Sequence, residues 1–161
     1  MSTVQSWLFP QSLSYISGFT TSPYVNMGHI KHVALSDSAL GVRKVAAGTD
    51  HPVVAGPGTK SQAWKATYPT GSYDPASGAV KGGFGFYMDG PASYSSLLSS
   101  AKEVIASYSV RFETGWQWNK GGKLPGMCEW HKTRLIANFA ESPTRRWCGR
   151  FGIRVHWRTS K

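Results

Sequence analysis

Apolar and polar residues alternate along much of the chain, which is the pattern of β-strands rather than of long helices. Between residues 102 and 113 the even-numbered positions from Val104 to Phe112 form a largely apolar set, and the odd-numbered positions form the other set. Alternation of this kind places the two sets on opposite faces of a strand. We therefore predict a strand from Lys102 to Glu113. Its beginning is ambiguous, because residues 95–106 also fit an apolar helical stripe.

A second alternating segment extends from Gly82 to Gly90. One face carries Phe84, Phe86 and Met88, and the other carries Gly85, Tyr87 and Asp89. We predict a strand with one buried face, in which the glycines let a ligand or another chain segment approach the backbone closely.

Shorter elements are predicted on both sides of these segments. Strand-like composition occurs at residues 42–47, 51–55 and 63–68, and a turn is predicted at 56–58. Ser36 and Asp37 favour a helix N-terminus and predict a short helical turn. The chain then divides into an irregular N-terminal segment (1–30), a strand-rich portion (31–127) and a basic, atypical C-terminal segment (128–161).

The composition agrees with a single β-rich domain. The chain has 161 residues, with 18 glycines, 9 prolines and 13% aromatic residues. This length suits one domain with a sizeable core, and frequent glycine, proline and aromatic residues favour turns and strands. The predicted fold class is therefore all-β.

The charge indicates an anionic partner. The formal net charge is +10 at pH 7, and such a charge attracts polyanions, including acidic polysaccharides and nucleic acids. A basic surface that only keeps the protein in solution would have the same composition. The C-terminal segment is strongly basic, but no recognised nucleic-acid-binding motif accompanies it. We therefore do not expect nucleic acid as a partner.

The sequence shows no pattern typical of metal, cofactor or membrane binding. Cys128 and Cys148 have neither the count nor the spacing of a metal site, and they form either one disulfide or two thiols. His29 and His32 have no carboxylate or cysteine close by in sequence, so we interpret them as surface histidines. Gly56–Lys60 lacks the adjacent glycine and lysine of a phosphate-binding loop. No apolar run is long enough to span a membrane, and no secretion signal is visible.

Glycine and proline residues determine the backbone conformations open to the segment Lys120-Gly-Gly-Lys-Leu-Pro-Gly126. Glycines allow positive φ and close approach of a ligand, and Pro125 fixes its own φ and restricts the residue before it. Lys123 would then project from a stiff backbone. There it could neutralise a carboxylate, or transfer a proton if cationic neighbours such as Lys120 and Arg111 favour its neutral form. From spacing alone, a turn with a solvated lysine is the simpler interpretation.

Five segments, taken in order, carry a family resemblance. They are Leu35–Val42, Ala63–Pro69, Gly82–Pro91, Tyr108–Gly115 and Lys120–Gly126. Together they resemble polysaccharide lyase family 14, which includes alginate and glucuronan lyases, and the first two are similar to its fungal branch. The order KGGKLPG is fairly specific to the family.

The resemblance implies a β-jelly roll, in which two antiparallel sheets form a sandwich with a concave cleft. It implies β-elimination on a 4-linked uronate polymer such as glucuronan or alginate, with no cofactor and an extracellular location. The lysine of the family's KLPG motif lies in the active cleft, which assigns a catalytic role to Lys123. The arginine strand of the family is matched by Phe151–Arg158, which assigns carboxylate neutralisation to Arg154. Gly152 stands where the family has serine, and Thr133–Leu135 is a rival match.

Further residues of the cleft follow from the same resemblance and from the polar strand faces. The expected substrate-binding residues are Lys120, Tyr87, Asp89, Arg111 and Trp118. The family's downstream Tyr-x-Tyr strand has no counterpart after Tyr108, so we expect a jelly roll that is incomplete at its C-terminal end. A non-catalytic carbohydrate-binding β-sandwich is the alternative function on the same fold, and a basic nucleic-acid-binding protein is a second, less favoured alternative.

Overall fold

A computed structural model of the chain describes residues 3–9, 17–56, 60–72, 78–116, 120–123, 125–126, 134–136 and 152–158. These residues form mostly short strands with few helical turns, as the sequence predicts. The helices are α1 (Thr3–Leu8), α2 (Asp37–Leu40) and α3 (Ser95–Ser100), with a 3-10 helix at Ala92–Tyr94. The strands are β1 (Gly18–Thr20), β2 (Ile30–His32), β3 (Val42–Arg43), β4 (Val53–Ala55), β5 (Gln62–Trp64), β6 (Phe84–Met88), β7 (Glu103–Ile105), β8 (Lys120–Lys123), β9 (Arg134–Ile136) and β10 (Gly152–Arg158).

The largest sheet in the described part of the chain has four strands in the order β3-β6-β10-β8. Its neighbouring strands are antiparallel, as expected. In this order β10 lies between β6 and β8. The hairpin β4–β5 is also antiparallel. The pairs β1–β2 and β7–β9, in contrast, are parallel, which the prediction of an antiparallel sandwich did not include.

The core lies on one face of β6. Phe84, Phe86 and Met88 are 4%, 4% and 8% exposed, and Leu40 of α2 packs with them. This confirms the face predicted from the alternation. Each side chain of this size contributes about 1.5–3 kcal/mol when it is fully buried. Burial of this row therefore determines which side of the four-stranded sheet faces the interior.

His51 covers part of this apolar row. Its ring centroid lies 4.8 Å from that of Phe86, and its Nε2 donates to Asp37, 2.9 Å from Oδ1. Asp37 begins α2, whose N-cap Ser36 accepts a hydrogen bond from the backbone N–H of Ala39. The predicted helical turn is therefore confirmed, and the His51–Asp37 contact connects it to the segment that leads into β4.

The predicted strand at 102–113 is much shorter in the structure. Among the described residues of this segment, Glu103–Ile105 forms the strand β7, which pairs with β9. Beyond Ile105 the alternation holds only in part. Tyr108 and Phe112 are half-buried, but Val110, on the same predicted apolar side, is 42% exposed. The ambiguous segment at 95–106 contains both elements, α3 followed by β7.

The N-terminal segment predicted as irregular contains α1 and β1. None of the helices in the described ranges is long and apolar enough to cross a membrane.

Gly82 provides a test of this packing. A Cβ at this position would overlap both Oγ and Cβ of Ser72, which is itself buried. We expect Gly82→Ala to lower the free energy of unfolding by about 1–3 kcal/mol, because the added methyl group has to displace well-packed atoms. Urea denaturation monitored by tryptophan fluorescence measures this change. Gly28→Ala is the matched control, since nothing lies within 4 Å of a Cβ there; an equal loss of stability in both variants would contradict the packing.

Candidate active site

A β-bulge in β8 positions the two lysines of the KGGK segment. Lys123 is opposite His156 of β10, whereas Lys120 is opposite Arg158, so that β8 uses one residue more than β10 over this interval. Residues directly opposite each other in a sheet share a face, and a bulge absorbs the extra residue. Three positions apart in a regular strand, the lysines would lie on opposite faces. The bulge at Gly121 and Gly122 therefore places both on the same face.

The same sheet face continues from β8 across β10 to β6 and β3. Arg154 lies two residues before His156 and is opposite Gly85, and Gly152 is opposite Tyr87, which is in turn opposite Arg43. The buried phenylalanines of β6 alternate with Gly85 and Tyr87, so this face is opposite to the one that carries the apolar row. On it, Gly85 is buried and Tyr87 is half-buried. We call it the cationic face, and its register positions are Arg43, Tyr87, Gly85, Gly152, Arg154, His156, Arg158, Lys120 and Lys123.

The β3–β6 end of the cationic face contains a packed cluster of charged and aromatic groups. Arg43 donates from Nε and Nη2 to the two carboxylate oxygens of Asp89, and the hydrogen bond with Asp89 raises the pKa of Arg43 further above its usual value. The Arg43 Cζ lies 6.0 Å from the Tyr87 ring centroid, and the Lys44 Nζ lies 5.7 Å from it. Such distances correspond to cation–π contacts. The predicted substrate-binding residues Tyr87, in β6, and Asp89, directly after it, therefore both contact cationic side chains.

Tyr108 forms a hydrogen bond with Pro125, two residues after Lys123. Its hydroxyl donates to the backbone carbonyl oxygen of Pro125 at 2.8 Å. Burial raises the pKa of Tyr108 to about 12. A phenolate cannot donate a hydrogen bond, so the protonated form is the one that restrains Pro125. This contact connects the 106–113 segment, in which Tyr108 is half-buried, to the residues that follow β8.

The other predicted substrate-binding residues are placed differently. Arg111 is exposed and lies outside the four-stranded sheet, and Trp118 lies outside the described residues. Trp116, two positions earlier, packs against Phe112 and Tyr68 at centroid distances of 5.4 and 5.6 Å, which is core-like packing. Cys128 and Cys148 also fall outside the described ranges.

The two candidate arginine strands lie in different sheets. Arg134, in the rival match, is part of β9, which pairs with β7. Arg154 is part of β10, the strand that pairs with the lysine strand β8. Among these two arginines, only Arg154 is thus on a strand adjacent to Lys123.

Sequence reasoning missed Arg43, Lys44 and His156. Alternation within β10 was a usable signal for His156, since it lies two residues after Arg154. Arg43 and Lys44 had no comparable signal, because β3 has only two residues and its register depends on distant Tyr87. In the part of the chain that the structure describes, no three His, Cys, Asp or Glu side chains come together as a metal site would require.

Comparison with known sequences found one family. The sequence model described as Polysaccharide lyase 14 matches residues 57–161, a stretch that includes β5, β6, β8 and β10. No curated protein and no solved structure matched the chain.

The Tyr108–Pro125 contact predicts a specific pH dependence of stability. Tyrosine titrates near pH 10 in an unfolded chain and at about 12 in this site, so the neutral form favours folding. Its contribution is complete below about pH 10 and is lost as the pH rises through about 12. We expect Tyr108→Phe to lower the free energy of unfolding by about 1 kcal/mol at neutral pH, because the Pro125 carbonyl loses its donor. Between about pH 10 and 12, the free energy of unfolding should decline less in this variant than in the wild type.

Denaturant titrations at several alkaline pH values measure this difference. Tyr68, whose pKa burial also raises, is present in both proteins, so it cancels in the comparison. Parallel pH profiles for the wild type and Tyr108→Phe would contradict the assignment.

Proposed function

The chain belongs to the polysaccharide lyase 14 family, and from this membership we propose that it cleaves 4-linked uronate polymers, with glucuronan or alginate as substrate, by β-elimination. The observation that supports this proposal most is the cationic face of the four-stranded sheet. There Lys123 and Arg154 lie in adjacent strands, and Arg154 is two residues before His156, the residue opposite Lys123. A face with this many cationic positions suits a polymer that has one carboxylate on each sugar.

The reaction requires three functions at one sugar ring. A base removes the proton from C5, the electron pair forms the C4–C5 double bond, and the C4–O bond to the leaving sugar breaks. An acid then returns a proton to the leaving oxygen. Negative charge develops on the C6 carboxylate as the C5 proton leaves, so a cation beside that carboxylate lowers the barrier.

The side-chain types fit different parts of this scheme. Arginine remains charged at all relevant pH values and binds carboxylates with a planar fork, so we propose that Arg154 neutralises the C6 carboxylate. Lysine exchanges protons more readily, which suits Lys123 to proton transfer at C5 or at the leaving oxygen. Lys120, brought to the same face by the bulge, would add positive charge beside the polymer.

The proposed function also carries a proposal for the complete fold and for where the protein acts. We propose that the four-stranded sheet is one layer of a jelly-roll sandwich, with its Phe84–Met88 row turned to the second layer and its cationic face forming the cleft. Since polyuronates are structural polymers outside cells, we propose an extracellular site of action.

Lys123→Ala tests the proposed reaction. We expect the substitution to lower the rate of unsaturated product formation from glucuronan or alginate about a thousandfold or more, because a group that transfers a proton in the transition state is lost. The unsaturated uronate absorbs in the ultraviolet, so absorbance growth measures turnover directly. Lys31→Ala is the control: this exposed lysine lies on β2, outside the four-stranded sheet.

Three outcomes would reject parts of this proposal. Wild-type turnover in a folded Lys123→Ala variant would remove Lys123 from the mechanism. Binding of polyuronate without absorbance growth would identify a carbohydrate-binding protein instead of a lyase. Steeply salt-dependent binding of DNA, with no affinity for polyuronate, would identify a nucleic-acid-binding protein.

A further inference from the structure

Lys44 adopts an unfavourable backbone conformation that places its ammonium group beside Tyr87. Its φ is 53°, in the left-handed region that a residue with a side chain seldom occupies. Within the described ranges, no other residue apart from glycines has a positive φ. The residue follows β3 directly, and its Nζ lies 5.7 Å from the Tyr87 ring centroid.

The contact with Tyr87 does not account for this conformation. A cation–π contact at an exposed site contributes less free energy than a non-glycine residue in the left-handed region costs. Strained backbone persists where the surrounding structure imposes it, and it is concentrated at functional sites. A function for the Lys44 ammonium group is therefore the explanation to test first.

The charges around Tyr87 leave one cation unbalanced. Arg43 is paired through both donor groups with the carboxylate of Asp89. Among the ion pairs formed by described residues, none includes Lys44. Counted among Arg43, Lys44 and Asp89 alone, two cations and one carboxylate leave a single positive charge, which is complementary to one carboxylate of a ligand.

The backbone of this cluster is well separated from that of Lys123 on the cationic face. Tyr87 is opposite Gly152 of β10, whereas Lys123 is opposite His156, four residues further along β10. Lys123 lies in β8, which is two strands away from β6. Strand spacing and rise then give a Cα separation of about 16 Å between Tyr87 and Lys123. Both positions are on the cationic face, so a polymer that lies across the sheet can reach both, and this backbone separation suits different units of that polymer.

We propose that Lys44, restrained by Tyr87 and flanked by the Arg43–Asp89 ion pair, binds the carboxylate of a uronate unit several sugars away from the unit at Lys123. This inference rests on the proposed function, because it assumes an acidic polysaccharide on the cationic face. Asp89 is a positioning residue here: it orients Arg43 beside Tyr87. The subsite would make the protein prefer long chains over short oligosaccharides.

Lys44→Asn tests the subsite, with Lys31→Asn as the control that removes the same charge from β2. Asparagine enters the left-handed region more readily than most residues, so we expect the thermal midpoint of Lys44→Asn to be unchanged or higher. Equilibrium binding of the full chain is measured with glucuronan and with alginate. We expect Lys44→Asn to weaken binding of the preferred polymer about tenfold, as loss of one charge-assisted hydrogen bond does, and Lys31→Asn to weaken it less than about twofold.

Turnover distinguishes failure of the subsite from failure of the lyase proposal. We expect Lys44→Asn to raise KM on the polymer at unchanged kcat, and to leave cleavage of the shortest accepted oligosaccharide unaffected. Equal effects of the two substitutions on polymer binding would overturn the subsite, even if the wild type is a lyase. Equal effects of Lys44→Asn on long and short substrates would also overturn it. Polymer binding that depends on Lys44 without any turnover would support the subsite and reject the lyase, and absence of both binding and turnover would reject both.

Discussion

The pairing of β10 with both β6 and β8 is the constraint on which the candidate site depends. Ile153 and Val155 are opposite Phe86 and Phe84, on the side of the sheet that carries the apolar row. The intervening Arg154 therefore shares the other face with Gly85. Because side chains alternate with period two, a slip of one residue would move Arg154 to the apolar side and remove it from the face of Lys123. Burial of the β6 phenylalanines makes such a slip costly, so the core specifies the site.

Glycines allow this arrangement in two physically different ways. In β8, Gly121 and Gly122 accommodate the bulge that brings Lys120 and Lys123 to one face. Before β6, Gly82 lets the chain approach Ser72 more closely than a side chain would permit. The glycine-rich segments of the sequence are therefore structural requirements of the sheet as well as family motifs. In both places a larger residue would alter the register or the packing that positions the cationic face.

Local signals allowed part of this structure to be predicted. Alternation identified Phe84, Phe86 and Met88 as a buried face, and the residue types at Ser36 and Asp37 identified the cap of α2, because both depend on nearest neighbours in sequence. Strand length was not predictable in the same way: the 102–113 segment alternates throughout, but only Glu103–Ile105 forms a strand among its described residues. The parallel β1–β2 and β7–β9 pairs likewise depend on long-range contacts that periodicity does not encode.

The candidate site shows the same division between local and long-range signals. Lys123 was predicted from its motif, whereas Lys44 depends on the register between β3 and β6 and on a single unusual φ angle. The central claim is that this register and that of β10 put the cationic positions on one face. Cross-strand backbone nuclear Overhauser effects in the labelled protein test it most directly. The account predicts contacts between Arg154 and Gly85 and between His156 and Lys123; contacts that place Arg154 opposite Phe84 or Phe86 would contradict it.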